Sequence, residues 1–140
     1  MTEKQTTIVI GVIGADCHAV GNKILDKVFT DAGFKVVNLG VMVSQDEYIS
    51  AAIETGAKAI LVSSLYGQGK LDCQGFRERC IERGLENITI YVGGNLVIGK
   101  TDPEIVKKDF LAMGYDRVFM PDTELSEVVR LLKEDLAKKG

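Results

Sequence analysis

Residues 16 to 21 read Asp-Cys-His-Ala-Val-Gly, and His18 is the single histidine of this 140-residue chain. Asp16 stands two positions before it and Gly21 three positions after. An imidazole that binds a metal through one ring nitrogen usually gives its other N–H to a carboxylate, which sets the tautomer and raises the basicity of the ligand. One histidine cannot hold an ordinary metal ion alone. It can be the axial ligand of a metal already held by a macrocycle. The plainer alternative is a surface-loop histidine with an acid nearby.

The chain that carries this trio is 46% hydrophobic and 26% charged, ordinary proportions for a soluble globular protein. Its length suits one domain, residues 1 to 140, with a real core. A net charge of −3 and a pI near 5.2 give no sign of a nucleic-acid partner, which would favour a basic face. No apolar run approaches the ~18 residues of a membrane span. The opening "MTEKQTTIVIGVIG" lacks the basic, apolar and cleavage regions of a signal peptide, so a cytoplasmic location is expected. Cys17, Cys73 and Cys80 are odd in number and lack CxxC spacing, which argues against a disulfide framework or a zinc site. Cys73 and Cys80 fall seven apart on a predicted helix and read as small buried residues. Cys17 is less easily dismissed, because it adjoins His18.

The elements that must position these residues alternate from end to end. "TTIVIGVIG" (6 to 14) is a continuous β-branched run, the mark of a strand covered on both faces. Val20, Ile24, Leu25 and Val28 fall at helical spacing within 20 to 32, and Gly33 is the expected stop. A second strand is read at 34 to 40. Ser44, with Glu47 three residues on, predicts a capping box ahead of the next helix. Further strands are expected at 57 to 64, 87 to 94 and 116 to 120, with helices at 71 to 84, 102 to 114 and 123 to 138. Asp102 and Pro103 supply an N-cap and a first helical residue. Five strand–helix units in series imply an open, doubly wound parallel sheet with helices on both faces and right-handed crossovers.

In such a sheet ligands bind beyond the carboxyl ends of the strands, where the strand order reverses. The order 2-1-3-4-5 would bring together the loop holding Asp16 and His18, the loop after Ser63-Ser64, and the loop after Gly93-Gly94. A phosphoacceptor receiver domain shares the architecture but needs an Asp where Ser63-Ser64 stand. A flavodoxin would close the first loop with a Ser/Thr-rich phosphate cradle. Neither the G-x-G-x-x-G of a dinucleotide site nor the G-x-x-x-x-G-K-[ST] of a P-loop is present.

The three loops together resemble the signature of base-off, His-on cobalamin-binding domains. D-x-H-x-x-G stands as Asp16 to Gly21, S-x-L as Ser63-Ser64-Leu65, and G-G as Gly93-Gly94. The resemblance spans the whole chain. "GVIGADCHAVGNKIL", "AAIETGAKAILVSSLYGQG" and "YVGGNLVIGK" are similar to the small, cobalamin-binding sigma subunits of glutamate mutase (methylaspartate mutase). Methylmalonyl-CoA mutases carry the signature on a much larger chain with its own barrel. Corrinoid methyltransferase carriers place a helical module ahead of the domain, whereas strand one here begins by about residue 6.

The resemblance implies a flavodoxin-like α/β fold and adenosylcobalamin as cofactor. It makes His18 the axial cobalt ligand and Asp16 its hydrogen-bond partner, with Ala15, Cys17 and Ala19 wrapping the lower corrin face. The nucleotide tail would enter a slot between sheet and helix. There Ser63 would offer its hydroxyl to the benzimidazole nitrogen, with Ser64 and Leu65 lining the same slot. Asn95, Leu96, Val97, Ile98 and Gly99 would border the tail, and a Cβ at Gly21, Gly93 or Gly94 would occupy space it needs. The reaction implied is the radical interconversion of L-glutamate and (2S,3S)-3-methylaspartate, an intramolecular transferase (isomerase) step of glutamate fermentation via mesaconate. Few residues here suit a dicarboxylate amino acid, since Lys23, Lys70 and Lys100 read as solvated. The substrate site is therefore expected on an epsilon subunit with a barrel, in a heterotetramer of two sigma and two epsilon chains, and this chain alone should catalyse nothing. A corrinoid carrier or cobalamin-binding sensor without mutase activity is the competing class. Because Gly21 and Asn22 weaken the first turn of the helix beside the slot, residues 16 to about 28 are expected to order on cobalamin binding.

Overall fold

A computed structural model describes residues 5–13, 20–64, 73–94, 102–120 and 123–139. Five parallel strands, β1 (Thr7–Val12), β2 (Lys35–Asn38), β3 (Ala59–Ser64), β4 (Thr89–Gly94) and β5 (Arg117–Phe119), form one sheet in the order β2-β1-β3-β4-β5. Between and after them run α1 (Val20–Asp31), α2 (Gln45–Thr55), α3 (Phe76–Glu82), α4 (Pro103–Ala112) and α5 (Leu125–Lys139). The doubly wound, flavodoxin-like architecture and the reversal of order between β1 and β3 match the sequence reading.

Alternation along each strand divides the core in two. Val9, Ile60, Ile90, Val92 and Val118 face one layer, where they meet Tyr48 and Ile49 of α2, Phe76 and Cys80 of α3, and Phe110 of α4. Ile8, Ile10, Leu61 and Tyr91 face the other, against Phe29 of α1 and Val128 and Leu132 of α5. The central strands are buried on both sides, as their unbroken β-branched runs require, while β2 at the sheet edge exposes Lys35 and Asn38.

Local signals account for the helix ends. Ser44 accepts from the Glu47 backbone N–H at 3.2 Å, and the Glu47 carboxylate accepts from the Ser44 N–H at 3.1 Å, the expected capping box. Asp102 caps α4 by accepting from the Glu104 N–H at 2.9 Å. The helix read at 71 to 84 is shorter than its periodicity suggests. Gly75 takes φ +77°, a left-handed conformation incompatible with a continuous helix, and α3 starts only at Phe76. Cys73 therefore lies in the preceding turn, not on the helix face with Cys80, although both are fully buried. Tyr115 donates its hydroxyl to the Cys73 carbonyl at 2.8 Å, and burial pushes the Cys80 thiol up to about 11.

Candidate functional site

Register builds the site. Val12 pairs with Ser63, Ser63 with Gly93, and Gly93 with Phe119, so one row of four residues crosses β1, β3, β4 and β5 at their carboxyl ends. All four line a cleft of about 300 Å³. Its floor continues into Leu61 and Tyr91, one pleat deeper on the same face. Asn22, Ile24 and Leu25 of α1 form one wall, and Thr123 with Leu125 and Val128 of α5 forms the other. The cleft lies where the order of strands reverses, the position at which this architecture takes ligands.

Gly93 makes the depression. Among the described residues, a Cβ there would touch only the Phe119 Cβ and carbonyl oxygen, both at 3.5 Å, and would otherwise project into the cleft. Gly94 is a glycine for a different reason. Its φ is +108°, and a Cβ would collide with the Ser64 carbonyl oxygen, so it serves the backbone before any ligand.

Ser63 is half-buried and lines the cleft, whereas Ser64 is fully buried beyond it. The period of two turns the Ser64 side chain to the opposite face of the sheet, with Ile60 and Val62. What Ser64 brings to the site is its carbonyl beside Gly94. Gly21 belongs to the first turn of α1. Ala15, Asp16, Cys17, His18, Ala19, Leu65, Asn95, Leu96, Val97, Ile98 and Gly99 lie outside the described residues. The chain ends that hold the first of these segments are described. Ile13 donates its N–H to the Ser63 carbonyl at 3.0 Å, and α1 begins at Val20, so residues 14 to 19 join the end of β1 to the helix that walls the cleft.

Among the cleft residues that the sequence reading did not assign to the site are Asn22, Tyr91, Phe119 and Thr123. Tyr91 packs edge-on against Phe119 with ring centroids 5.3 Å apart. Its hydroxyl donates to the Asp135 carboxylate, which also accepts from Arg117 Nε at 2.7 Å and Nη2 at 3.0 Å. The Arg117 hydrogen bonds hold the Asp135 carboxyl below its ordinary range, while burial and then the Asp135 hydrogen bond raise the Tyr91 phenol well above its own. This network ties α5 to β4 and β5 beneath the cleft. Asn22, only 4% exposed, would have been legible as a polar residue on the buried stripe that continues through Leu25 and Phe29.

Comparison with known proteins agrees with this geometry. The B12 binding domain family matches residues 6–130. The glutamate mutase sigma subunit of Yersinia enterocolitica is 65% identical over 135 residues, covering 96% of this chain and 91% of that protein. That of Escherichia coli O157:H7 is 63% identical over 136 residues, covering 97% and 91%. A cobalamin-binding protein from Desulfitobacterium hafniense shares the fold, with a TM-score of 0.77 at 20% identity; the match covers 94% of this chain and 60% of that one. With a B12 binding domain over most of its length and such identity at nearly full coverage, the chain belongs to the glutamate mutase sigma subunit family.

Proposed function

We propose that this chain is the cobalamin-binding component of an adenosylcobalamin-dependent glutamate mutase, a single domain that works with a separate epsilon subunit carrying the substrate site. The observation that carries the reading is the apolar cleft at the strand-order reversal. The cleft fits a flat heterocycle with a sugar attached. Its floor is aromatic and aliphatic, Gly93 leaves room that a methyl would fill, and Asn22 Oδ1 is buried at the wall without a partner among the described residues.

When bound, adenosylcobalamin supplies the radical chemistry by which L-glutamate and (2S,3S)-3-methylaspartate interconvert. The protein's part is to hold it base-off and His-on. His18 would hold the cobalt through one imidazole nitrogen, and Asp16 would accept the other N–H, which sets the tautomer and strengthens the donor. Ala15, Cys17 and Ala19 would contact the corrin. Ser63 would donate its hydroxyl to the benzimidazole nitrogen within the cleft, and Leu65 and Asn95, Leu96, Val97, Ile98 and Gly99 would border the tail. The assembly is a heterotetramer of two sigma and two epsilon subunits in the cytoplasm; among the described residues no helix is long and apolar enough to cross a membrane.

The test is to mix the chain with adenosylcobalamin, with and without a glutamate mutase epsilon subunit, and to follow methylaspartate formation. The cofactor should bind in both mixtures, with turnover only where epsilon is present. Binding without turnover in either would overturn the mutase reading in favour of a corrinoid carrier or sensor.

A further inference from the structure

Asn22 lies on the first turn of α1, lines the cleft and is 4% exposed. Its carboxamide is not free to choose which end faces a ligand. The Asp26 carboxylate, which can only accept when ionised, takes a hydrogen bond from Asn38 Nδ2 at 2.9 Å. That sets the Asn38 carbonyl toward the other side, where Oδ1 accepts from the Gly40 N–H at 2.9 Å and from Asn22 Nδ2 at 2.6 Å. The Asn22 amide nitrogen is thus committed, and its Oδ1 is left as a buried acceptor with no partner among the described residues. A buried acceptor without a donor is costly, and native structures usually have a use for one.

We infer that Asn22 is a specificity-determining residue of the cleft, its Oδ1 accepting a hydrogen bond from a ribose hydroxyl of the cofactor's nucleotide tail. The inference rests on the reading of the cleft as the tail's slot. The benzimidazole offers only an acceptor at its free ring nitrogen and the phosphate only acceptors, so within the tail's nucleotide the sugar hydroxyls are the matching donors. Asp26 and Asn38 act through Asn22, as positioning residues. The same polarity rejects an anionic group at this point of the wall, since two acceptors would then face each other.

The experiment titrates the isotope-labelled chain with 5,6-dimethylbenzimidazole and with its riboside, α-ribazole, following backbone amides by NMR. Both should shift the amides of Ser63, Tyr91 and Gly93, and the riboside should bind more tightly. Asn22→Ala should lose about tenfold in riboside affinity, the scale of one net hydrogen bond, with base affinity within about twofold of wild type. Should that variant not fold, Asn38→Ala takes its place, because Asn38 is exposed and its loss frees the Asn22 amide to turn; the sugar's advantage should shrink there too. An unchanged advantage in the folded variant overturns the inference while leaving the slot intact. If neither compound shifts the cleft amides of the wild type, the slot reading fails and the inference with it.

Discussion

The carbonyl oxygen of Ser64 occupies the place where a side chain at Gly94 would begin. The two residues are paired across β3 and β4, and the close approach is possible only because Gly94 takes φ +108° without a Cβ. Its neighbour Gly93 meets no such obstacle. Adjacent glycines in one motif therefore answer to different demands, and substitution should separate them. Gly94→Ala is expected to cost roughly 2–5 kcal/mol from backbone strain plus overpacking, seen as a lower urea midpoint. Gly93→Ala should unfold at close to the wild-type midpoint yet bind cobalamin at least about tenfold more weakly. Equal stability losses in both variants would show that the cleft is not what Gly93 serves.

His18→Gly, in the chain assembled with epsilon, should weaken cobalamin binding and nearly abolish methylaspartate formation while circular dichroism stays unchanged. Asp16→Asn keeps the shape but removes the charge that strengthens the imidazole donor, and turnover should fall by about 10–100-fold. Retained activity and an unaltered cobalamin spectrum in His18→Gly would remove the histidine from the cobalt.

Of the longer helices, α1 has the least favourable charges at its ends, although Gly33 at φ +99° and the Phe34 N–H donated to the Phe29 carbonyl close its carboxyl end. It has no acidic residue in its first turn and no basic one in its last, and Lys23 sits near its positive pole. By contrast α2 has its capping box, and α5 ends in Lys138 and Lys139. The first turns of α1 form a wall of the cleft, with Asn22, Ile24 and Leu25 along it. Amide exchange across Val20 to Val28 should slow markedly when cobalamin binds, while β1, β3 and β4 change little. High and equal protection in both states would mean a preformed wall.

The Arg117–Asp135 pair makes stability depend on pH. The folded-state carboxyl of Asp135 titrates below its unfolded value, so its contribution is complete above about pH 4 and is lost as pH falls through the folded pKa. Asp135→Asn should cost roughly 1.5–3 kcal/mol at pH 7, the scale of hydrogen bonds to a charged group, and less in more acid solution. The check is a set of urea titrations of both proteins from pH 7 down to 3. A constant difference across that range would mean that the carboxylate charge contributes nothing.

The strands and both capped helices were legible because each rests on a local signal. A β-branched run, a Ser three residues before a Glu and a glycine pair need no tertiary knowledge. The floor of the cleft was not legible in this way. Whether Ser63 or Ser64 turns toward it depends on which face of β3 meets α1, and a one-residue slip would exchange them. Tyr91 and Phe119 enter only through pairing registers that no stretch of sequence displays. Asn22 is intermediate: helical spacing puts it on the stripe of Leu25 and Phe29, but its orphaned oxygen depends on Asp26 and Asn38, one turn and one strand away.

The row Val12, Ser63, Gly93 and Phe119 draws on residues separated by most of the chain, and one wall of its cleft needs Val128 of α5. Synthesis from the amino terminus delivers the histidine motif first and this last helix at the end. On the proposed reading, a nascent chain thus carries His18 long before it has a slot for the tail. Capture of the intact cofactor becomes a property of finished molecules, and unfinished ones offer it no complete site.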